Sequence, residues 1–205
     1  MDTDVIILAG GKGRRLGREK AKVELDGASL LERAIKRLAP LSNEVVIVKA
    51  PKQILPPLNI PDQQLVIVTD VLPEKGPLIG IYSGLKASRA SKSFVVACDM
   101  PFVNLDIARY LISKSAGYEI TIPASDGYIE PLHAVYSKDC LEKAKSMIES
   151  GIFNISYLVN NSKVKHVNKS EMDHLDTNRL TYFNINTADD YNKAKALCNV
   201  LTKPC

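Results

Sequence analysis

A cluster of glycines and cations near the start of the chain has the residue types that hold a polyphosphate. Its glycines are Gly10, Gly11, Gly13 and Gly17, and its cations are Lys12, Arg14, Arg15, Arg18, Lys20 and Lys22. Without a Cβ, glycine lets several backbone amides approach a phosphate, while lysine supplies a compact charge and arginine a fork that binds two oxygens. The segment therefore predicts a triphosphate-binding loop.

The spacing of these glycines does not match the two commonest phosphate-loop motifs. A Walker loop needs Gly-Lys-Ser or Gly-Lys-Thr, and neither tripeptide occurs in the 205 residues. A dinucleotide fingerprint built on Gly11 and Gly13 would need glycine or alanine at the position that Leu16 occupies. A P-loop ATPase and a Rossmann dehydrogenase are therefore both disfavoured.

Two other interpretations of the basic segment stay open on its sequence. It could be a surface turn followed by a solvated basic helix face, which is the usual role of a run of charges. It could also be a nucleic-acid patch, but the net charge is only +4 and the chain has no Trp for base stacking. We expect no nucleic-acid partner.

Two aspartates follow apolar runs at points where a strand is expected to end. Asp70 follows residues 66–69, and Asp99 follows residues 94–98. In an open α/β sheet, ligands bind beyond the carboxyl ends of the strands, and a carboxylate there is the oxygen ligand that Mg²⁺ prefers. Asp99 is accordingly a candidate Mg²⁺ ligand, the alternative being a cap for the next helix or turn. Asp70 could instead be a turn residue before Pro73.

The apolar pattern predicts a single three-layer α/β/α domain over residues 1–205, with a Rossmann-like, mostly parallel sheet. Short apolar runs alternate with loop or helix signals, which is typical of parallel strands joined by right-handed crossovers. The proline-rich residues 49–64 are expected to be an irregular cover. We expect strands at 5–9, 44–48, 65–69, 93–97, 119–122, 132–136 and 164–167, and helices at 29–39, 78–87, 105–115, 138–150 and 188–201.

Composition and the first residues predict a cytoplasmic protein without a membrane segment. The chain is 45% hydrophobic, and the short apolar run after Asp2 and Asp4 is neither a secretory signal nor a membrane span. The four cysteines, Cys98, Cys140, Cys198 and Cys205, form no Cys-x-x-Cys pair, as expected of reduced thiols.

The motifs along the chain resemble those of the molybdenum cofactor guanylyltransferases, the MobA family of the nucleotidyltransferase superfamily. The resemblance covers nearly the whole chain. Its first segment, residues 8–17 (LAGGKGRRLG) with Lys20, is shared with other nucleotidyltransferases, and the later segments favour the narrower family. These are residues 76–80 (GPLIG), 83–85 (SGL), 98–102 (CDMPF), 130–136 (EPLHAVY) and 184–187 (NINT).

The resemblance implies a fold of the nucleotide-diphospho-sugar transferase type and transfer of GMP from GTP to the terminal phosphate of molybdopterin, with release of pyrophosphate. It implies Mg²⁺ on Asp99, Lys20 at the α-phosphate or leaving group, and Arg15 with the amides of residues 10–13 around the β- and γ-phosphates. Leu8, Ala9 and Gly10 would supply backbone groups to the base, and Asp70 would lie near the nucleotide. Where family members often carry a polar residue after the second strand, this chain has residues 48–51 (VKAP).

The family places the pterin beside Pro131, Leu132, Asn184 and Asn186. On an extended segment the two asparagine side chains would point the same way and could read a pterin edge, or they could form a ladder or a cap. Thr187 is better interpreted as the N-cap of the next helix. His133, between two apolar residues, is more often a packed residue than a catalyst.

Other assignments remain open. A cytidylyltransferase or sugar-phosphate nucleotidyltransferase would keep the same loop and Asp99, and a non-catalytic nucleotide-binding module would bind without releasing pyrophosphate. Transient contact with molybdenum-insertion or molybdoenzyme maturation proteins is a further expectation from the resemblance.

Overall fold

The computed structural model describes residues 3–10, 13, 16–42, 44–60, 64–72, 75–125 and 127–201. Its strands are β1 (Thr3–Leu8), β2 (Glu24–Leu25), β3 (Ala28–Ser29), β4 (Glu44–Lys49), β5 (Gln64–Thr69), β6 (Lys92–Ala97), β7 (Ile120–Ser125), β8 (Tyr128–Ile129), β9 (His133–Ser137) and β10 (Val164–Asn168). Its α-helices are α1 (Leu30–Leu38), α2 (Pro77–Ala87), α3 (Leu105–Ser113), α4 (Cys140–Glu149), α5 (Ile155–Asn160) and α6 (Ala188–Leu201). Short 3₁₀ helices lie at Lys20–Lys22, Ala39–Leu41 and Lys169–Met172.

A mostly parallel sheet forms the middle layer of the molecule. Its strand order is β10-β7-β9-β6-β1-β4-β5, with β8 paired to β7. The pairs β1–β4, β1–β6, β4–β5 and β7–β10 are parallel, whereas β9 runs antiparallel to β6 and β7. The expected strand set and the mostly parallel sheet are confirmed. The β2–β3 hairpin, β8 and α5 were not anticipated from the sequence.

Helices cover both faces of the sheet, and each face has its own hydrophobic core. On one face Leu31 and Ile35 of α1 and Leu111 of α3 pack against Val5 and Ile7. The opposite core joins α2, α4 and α5 to the alternate strand residues, among them Ile6. Because both faces are covered, the central strands are continuous apolar runs, as expected of buried parallel strands. The three-layer α/β/α class is thus confirmed.

The close packing of α2 on β1 explains a glycine inside that helix. A Cβ on Gly84 would lie 2.5 Å from Ile6 Cγ2, so a larger residue there would push the helix away from the sheet. A Cβ on Gly80 would lie 3.1 Å from Leu8 Cδ2. The two glycines therefore let α2 pack closely along β1.

Strand register aligns the carboxyl ends of the central strands. Leu8 of β1 lies opposite Val48 of β4 and Ala97 of β6. The loops that begin at Gly10 and at Cys98 therefore leave the same edge of the sheet side by side. No helix among the described residues is long and apolar enough to cross a membrane.

Candidate active site

A cavity of about 360 Å³ lies at the carboxyl ends of β1, β4 and β6. It brings together many of the residues that the sequence singled out, although these are widely separated along the chain. They are Leu8, Gly10, Lys20, Asp70, Asp99 and Leu132. The start of α2 closes one side with Gly76, Pro77 and Gly80.

Lys20 is the central cation of this cavity. The 3₁₀ helix Lys20–Lys22 holds it, and its Nζ donates to Asp99 Oδ2. The same Nζ donates to Asn186 Oδ1 at 2.5 Å. Only 16% of the Lys20 side chain and 11% of the Asp99 side chain are exposed, so this ion pair is well shielded from water. The cluster therefore joins three separate chain segments through one ammonium group.

Asp99 has a carboxylate oxygen available for a further ligand. Its Oδ1 is buried and has no hydrogen-bond partner in the described part of the chain. The amide of Ile185 donates to the Asp99 carbonyl at 3.0 Å, which brings the segment carrying Asn186 against the end of β6. The following helix, α3, is capped by Asn104, whose side chain accepts from the amides of Asp106 and Ile107. Helix capping thus falls to Asn104 and not to Asp99.

Asp70 lies at the same edge, after β5. Its amide donates to the Lys49 carbonyl at 2.8 Å, and its Oδ1 is buried without a partner among the described residues. Burial raises the pKa of Asp70, and hydrogen bonds from the amides of Leu72 and Val71 oppose this shift only in part. A cation at the carboxylate would therefore relieve an unfavourable environment.

The glycine loop is held by backbone contacts that need glycine at position 13. Gly13 has a φ of +52°, and a Cβ there would lie 2.0 Å from the Arg18 carbonyl oxygen. The Gly13 carbonyl accepts from the Leu16 amide at 2.8 Å, which closes the turn. Gly11 and Arg15, which the sequence assigns to the phosphates, lie outside the described residues.

Several backbone groups of Leu8 and Ala9 are already engaged within the sheet. The Ala9 amide donates to the Val48 carbonyl at 2.8 Å, and the Leu8 carbonyl accepts from the Cys98 amide at 3.1 Å. Each carbonyl has a second lone pair, but an amide donates only once. Recognition of a base by these residues is therefore restricted to the carbonyls and to Gly10.

Gln53 is a residue of this edge that the sequence analysis did not anticipate. Its Nε2 donates to the Ala9 carbonyl and its Oε1 accepts from the Ala50 amide, both at 2.9 Å. Only 8% of the residue is exposed. The side chain thus ties the loop after β1 to the loop after β4. The only available signal was an amide residue within the proline-rich segment, which also contains Asn59, Gln63 and Gln64.

The residues expected beside the acceptor have different surroundings. Leu132 lines the cavity, whereas the Pro131 carbonyl accepts from the Tyr136 hydroxyl at 2.8 Å. Asn184 donates to the Tyr182 carbonyl at 2.9 Å, so it does not share the partner of Asn186. At the start of α6, the Thr187 hydroxyl accepts from the Asp190 amide at 3.1 Å, which is the expected capping contact.

His133 is packed inside the protein. It is fully buried, and its ring lies edge-on to Phe94 at 5.0 Å and to Tyr182 at 5.1 Å between ring centroids. Neither ring nitrogen has a hydrogen-bond partner among the described residues. Burial, together with the charge of Lys169, lowers the pKa of His133 to about 3. The ring is therefore neutral at physiological pH.

The cavity is suited to handling the charge of phosphates rather than to forming a covalent enzyme intermediate. Cys98 also lines it, but burial raises the pKa of its thiol, and the adjacent Asp99 raises it further, so the thiol stays protonated. What remains is a shielded ammonium, two carboxylates with unpartnered oxygens and a glycine turn. Such groups bind a polyphosphate and a cation.

Comparisons with known proteins agree on one family. Residues 5–160 match the MobA-like NTP transferase domain. A probable molybdenum cofactor guanylyltransferase from Methanosarcina mazei is 38% identical over 193 residues, covering 90% of this chain and 86% of that protein. A molybdenum cofactor guanylyltransferase from Desulfosudis oleivorans is 31% identical over 193 residues, covering 93% of each chain.

Solved structures share the fold. Molybdopterin-guanine dinucleotide biosynthesis protein A from Archaeoglobus fulgidus matches with a TM-score of 0.81 and 27% identity, over 96% of this chain and 99% of that one. A 2-C-methyl-D-erythritol 4-phosphate cytidylyltransferase from Thermus thermophilus matches with a TM-score of 0.69, over 95% of this chain and 98% of that one. At 17% identity, the second likeness shows the fold alone.

Proposed function

The chain belongs to the MobA-like NTP transferase family, and we propose that it is a molybdenum cofactor guanylyltransferase. It transfers GMP from GTP to the terminal phosphate of molybdopterin and releases pyrophosphate. Relatives that carry this name are up to 38% identical over nine-tenths of the chain. The structure neighbour named for molybdopterin-guanine dinucleotide biosynthesis supports the same substrates.

The observation that carries the proposal is the contact of Lys20, which lines the cavity, with both Asp99 of the same cavity and Asn186. The acceptor phosphate is already an anion, so the reaction needs no strong general base. It needs alignment of the two phosphates and compensation of the negative charge that develops during attack on the α-phosphorus. Lys20 provides a positive charge at the point where three chain segments converge, and its shielding from water strengthens its action on the phosphate.

A divalent cation, Mg²⁺ in our proposal, fits the oxygen donors of this cavity. Asp99 Oδ1 is buried without a partner among the described residues, and Asn186 Oδ1 lies against the same ammonium as Asp99. The described residues contain no group of three His, Cys, Asp or Glu side chains that could enclose a metal ion. That pattern suits Mg²⁺, which often takes one or two carboxylates and completes its shell with phosphates and water.

Asp99 would hold the ion, with Asn186 beside it, and the ion when bound would neutralise charge on the phosphate oxygens. We assign the β- and γ-phosphates to Arg15 and to the amides of residues 10–13, including Gly10 and Gly11. Asp70 would lie near the nucleotide, and Leu132 near the acceptor. The carbonyls of Leu8 and Ala9, each with a free lone pair, would accept hydrogen bonds from donors on the base.

The test is to incubate the protein with molybdopterin and Mg²⁺, add GTP, CTP or UTP separately, and measure pyrophosphate. We expect release with GTP and less than about a tenth of that rate with the other two. Faster release with CTP or UTP would assign the chain to another nucleotidyltransferase activity. Binding of GTP without pyrophosphate release, measured by calorimetry, would identify a non-catalytic module.

A further inference from the structure

A second cavity, of about 680 Å³, opens beside the first at the same edge of the sheet. Ser125, the last residue of β7, and Asn168, the last residue of β10, both line it. Strand β9 runs antiparallel to both β6 and β7, so β6 and β7 point in the same direction. Strand β10 is parallel to β7, and the carboxyl ends of β7 and β10 therefore face the same way as that of β6. The second cavity thus lies where an α/β sheet offers its ligand sites.

Two short chain segments connect the cavities. In the first, Leu132 lines the nucleotide cavity, while Glu130 binds Lys169 of the second cavity at 2.8 Å. In the other, Phe183 lines the second cavity, and Asn186 contacts Lys20 in the first. An extended chain spans at most roughly 3.5 Å per residue, so the backbone of Glu130 lies within about 7 Å of that of Leu132, and the backbone of Phe183 within about 11 Å of that of Asn186. One elongated ligand can therefore reach both.

The charges that line the second cavity balance one another. Its cations are Lys169 and Arg179, and its carboxylates are Asp173 and Asp176. Arg179 pairs with Asp173 at 3.1 Å, and the oxygens of Asp176 accept from the amides of Leu180 and Thr181. No cation without a carboxylate partner is present among these lining residues, so a phosphate would find no compensating charge here. The cavity favours an uncharged ligand with polar groups.

Tyr182 is an aromatic lining residue of this cavity and carries a polar group without a partner among the described residues. Lys169 Nζ lies 4.4 Å from the centroid of its ring, and His133 packs against the ring edge. The Tyr182 hydroxyl is buried and has no hydrogen-bond partner in the described part of the chain. A buried hydroxyl without a partner costs free energy, and a ligand that bonds it removes that cost.

The protonation of Tyr182 and His133 agrees with an uncharged ligand. Burial raises the pKa of Tyr182, and the nearby Glu130 and Asp176 raise it further, so the hydroxyl remains a donor. The ring of His133 behind it is neutral, as its low pKa shows. A volume of about 680 Å³ falls within the roughly 300–1,000 Å³ of small-molecule sites.

We propose that the second cavity holds the uncharged ring system of the acceptor, with the Tyr182 hydroxyl bonded to a polar edge of the rings and the terminal phosphate of the acceptor lying at Lys20. This assignment rests on the proposed function and adds to it a location for the part of the acceptor that does not react. Tyr182 and Lys169 are then specificity-determining residues, since they contact the rings and not the reacting phosphates.

The experiment compares Tyr182→Phe and Lys169→Met with the wild type and with two matched controls, Tyr128→Phe and Lys145→Met. Both controls are exposed positions outside the cavity, on β8 and α4. Pyrophosphate release gives KM for molybdopterin at saturating GTP and KM for GTP at saturating molybdopterin. Fluorescence titration with 6-hydroxymethylpterin, an uncharged pterin without phosphate, measures ring binding directly. Circular dichroism checks that each variant folds.

We expect both cavity variants to raise KM for molybdopterin and Kd for 6-hydroxymethylpterin about fivefold, the effect of losing one hydrogen bond or one polar contact. KM for GTP and kcat should stay within about twofold, and the controls should match the wild type. If the enzyme is active but neither variant changes the acceptor KM or the pterin Kd, the second cavity is not the ring site. Absence of turnover with every nucleotide would instead refute the proposed function. The pterin titration would still test the second cavity in that case, because a wild type that binds no 6-hydroxymethylpterin overturns its assignment as the ring site.

Discussion

Lys20 Nζ lies 2.5 Å from Asn186 Oδ1, although the two residues are 166 positions apart in the sequence. The contact places the start of the chain against the segment that precedes α6, and Asp99 completes the cluster from the end of β6. The ammonium group therefore contacts Oδ2 of the Asp99 carboxylate, whose other oxygen, Oδ1, is the one that we propose for Mg²⁺. A metal ion held by Asp99 would therefore have the like-charged Lys20 as a neighbour.

Replacement of Lys20 by Met should abolish most turnover and yet strengthen metal binding. We expect kcat to fall about 100- to 1000-fold, as when one group that stabilises developing charge is removed. Affinity for Mn²⁺ without nucleotide should rise at least about fivefold, because a unit charge about 4 Å away acts with roughly 1 kcal/mol even in water. Pyrophosphate assays and isothermal titration measure the two effects.

The matched control is Lys22→Met, on the same 3₁₀ helix, where the side chain is 42% exposed and pairs with Glu19 at 2.8 Å. It should leave both quantities within about twofold of the wild type. Weaker Mn²⁺ binding in Lys20→Met than in the wild type would show that the ammonium does not oppose the cation.

Replacement of Asp99 by Asn keeps the shape of the side chain and removes its charge. We expect turnover to fall at least about 100-fold, since both the ion pair with Lys20 and the proposed metal ligand are lost. Asp106→Asn, on α3, is the control, because that side chain is 63% exposed and forms a surface ion pair with Arg109 at 3.1 Å. Pyrophosphate release over a range of Mg²⁺ concentrations tests the assignment, and activity near that of the wild type would contradict it.

Replacement of Gln53 by Ala should loosen the edge on which the nucleotide lies. The change removes the partners of the Ala9 carbonyl and the Ala50 amide, and each unsatisfied group costs about 1–3 kcal/mol. The free energy of unfolding in urea should therefore fall by at least roughly 2 kcal/mol. KM for GTP should rise severalfold with a smaller change in kcat. The control is Gln64→Ala, at the exposed start of β5, which should change neither the free energy of unfolding nor KM for GTP. If the two variants behave alike, the contacts of the Gln53 side chain do not support this edge.

The buried His133 should make the stability of the protein depend on pH. The ordinary pKa of histidine is about 6.5, but burial lowers the pKa of His133 to about 3 in the folded chain. Between pH 6.5 and pH 3 the histidine is protonated in the unfolded chain but neutral in the folded chain. The contribution of His133 to stability is therefore fully present above pH 6.5 and is lost as the pH falls toward 3. The contribution of this one residue is roughly 1.4 kcal/mol per pH unit.

The measurement is urea unfolding of the wild type and of His133→Leu at several pH values between 7 and 5. The variant lacks the titrating group, so its stability should decline less steeply over this range. His166→Leu, at an exposed position of β10, should retain the steep decline of the wild type. Parallel curves for the wild type and His133→Leu would rule out the predicted effect.

Much of the architecture could be predicted because it depends on local patterns. The apolar runs of β1, β4, β5 and β6 have the length and composition of buried parallel strands, and Ser29 caps α1 as expected, accepting from the Glu32 amide at 3.1 Å. The β2–β3 hairpin has strands of only two residues each, too short for a periodic signal. The α5 helix, six residues long, is equally hard to recognise.

The sequence by itself determined which side chains can handle phosphate charge, because glycine turns and charged residues at strand ends carry their chemistry locally. Only the tertiary structure decided which partners they have. It placed Asn186 on Lys20, separated Asn184 from it, and brought Gln53 to the Ala9 carbonyl. These contacts join residues far apart in the chain, and their geometry depends on strand register and helix packing, which no local pattern encodes.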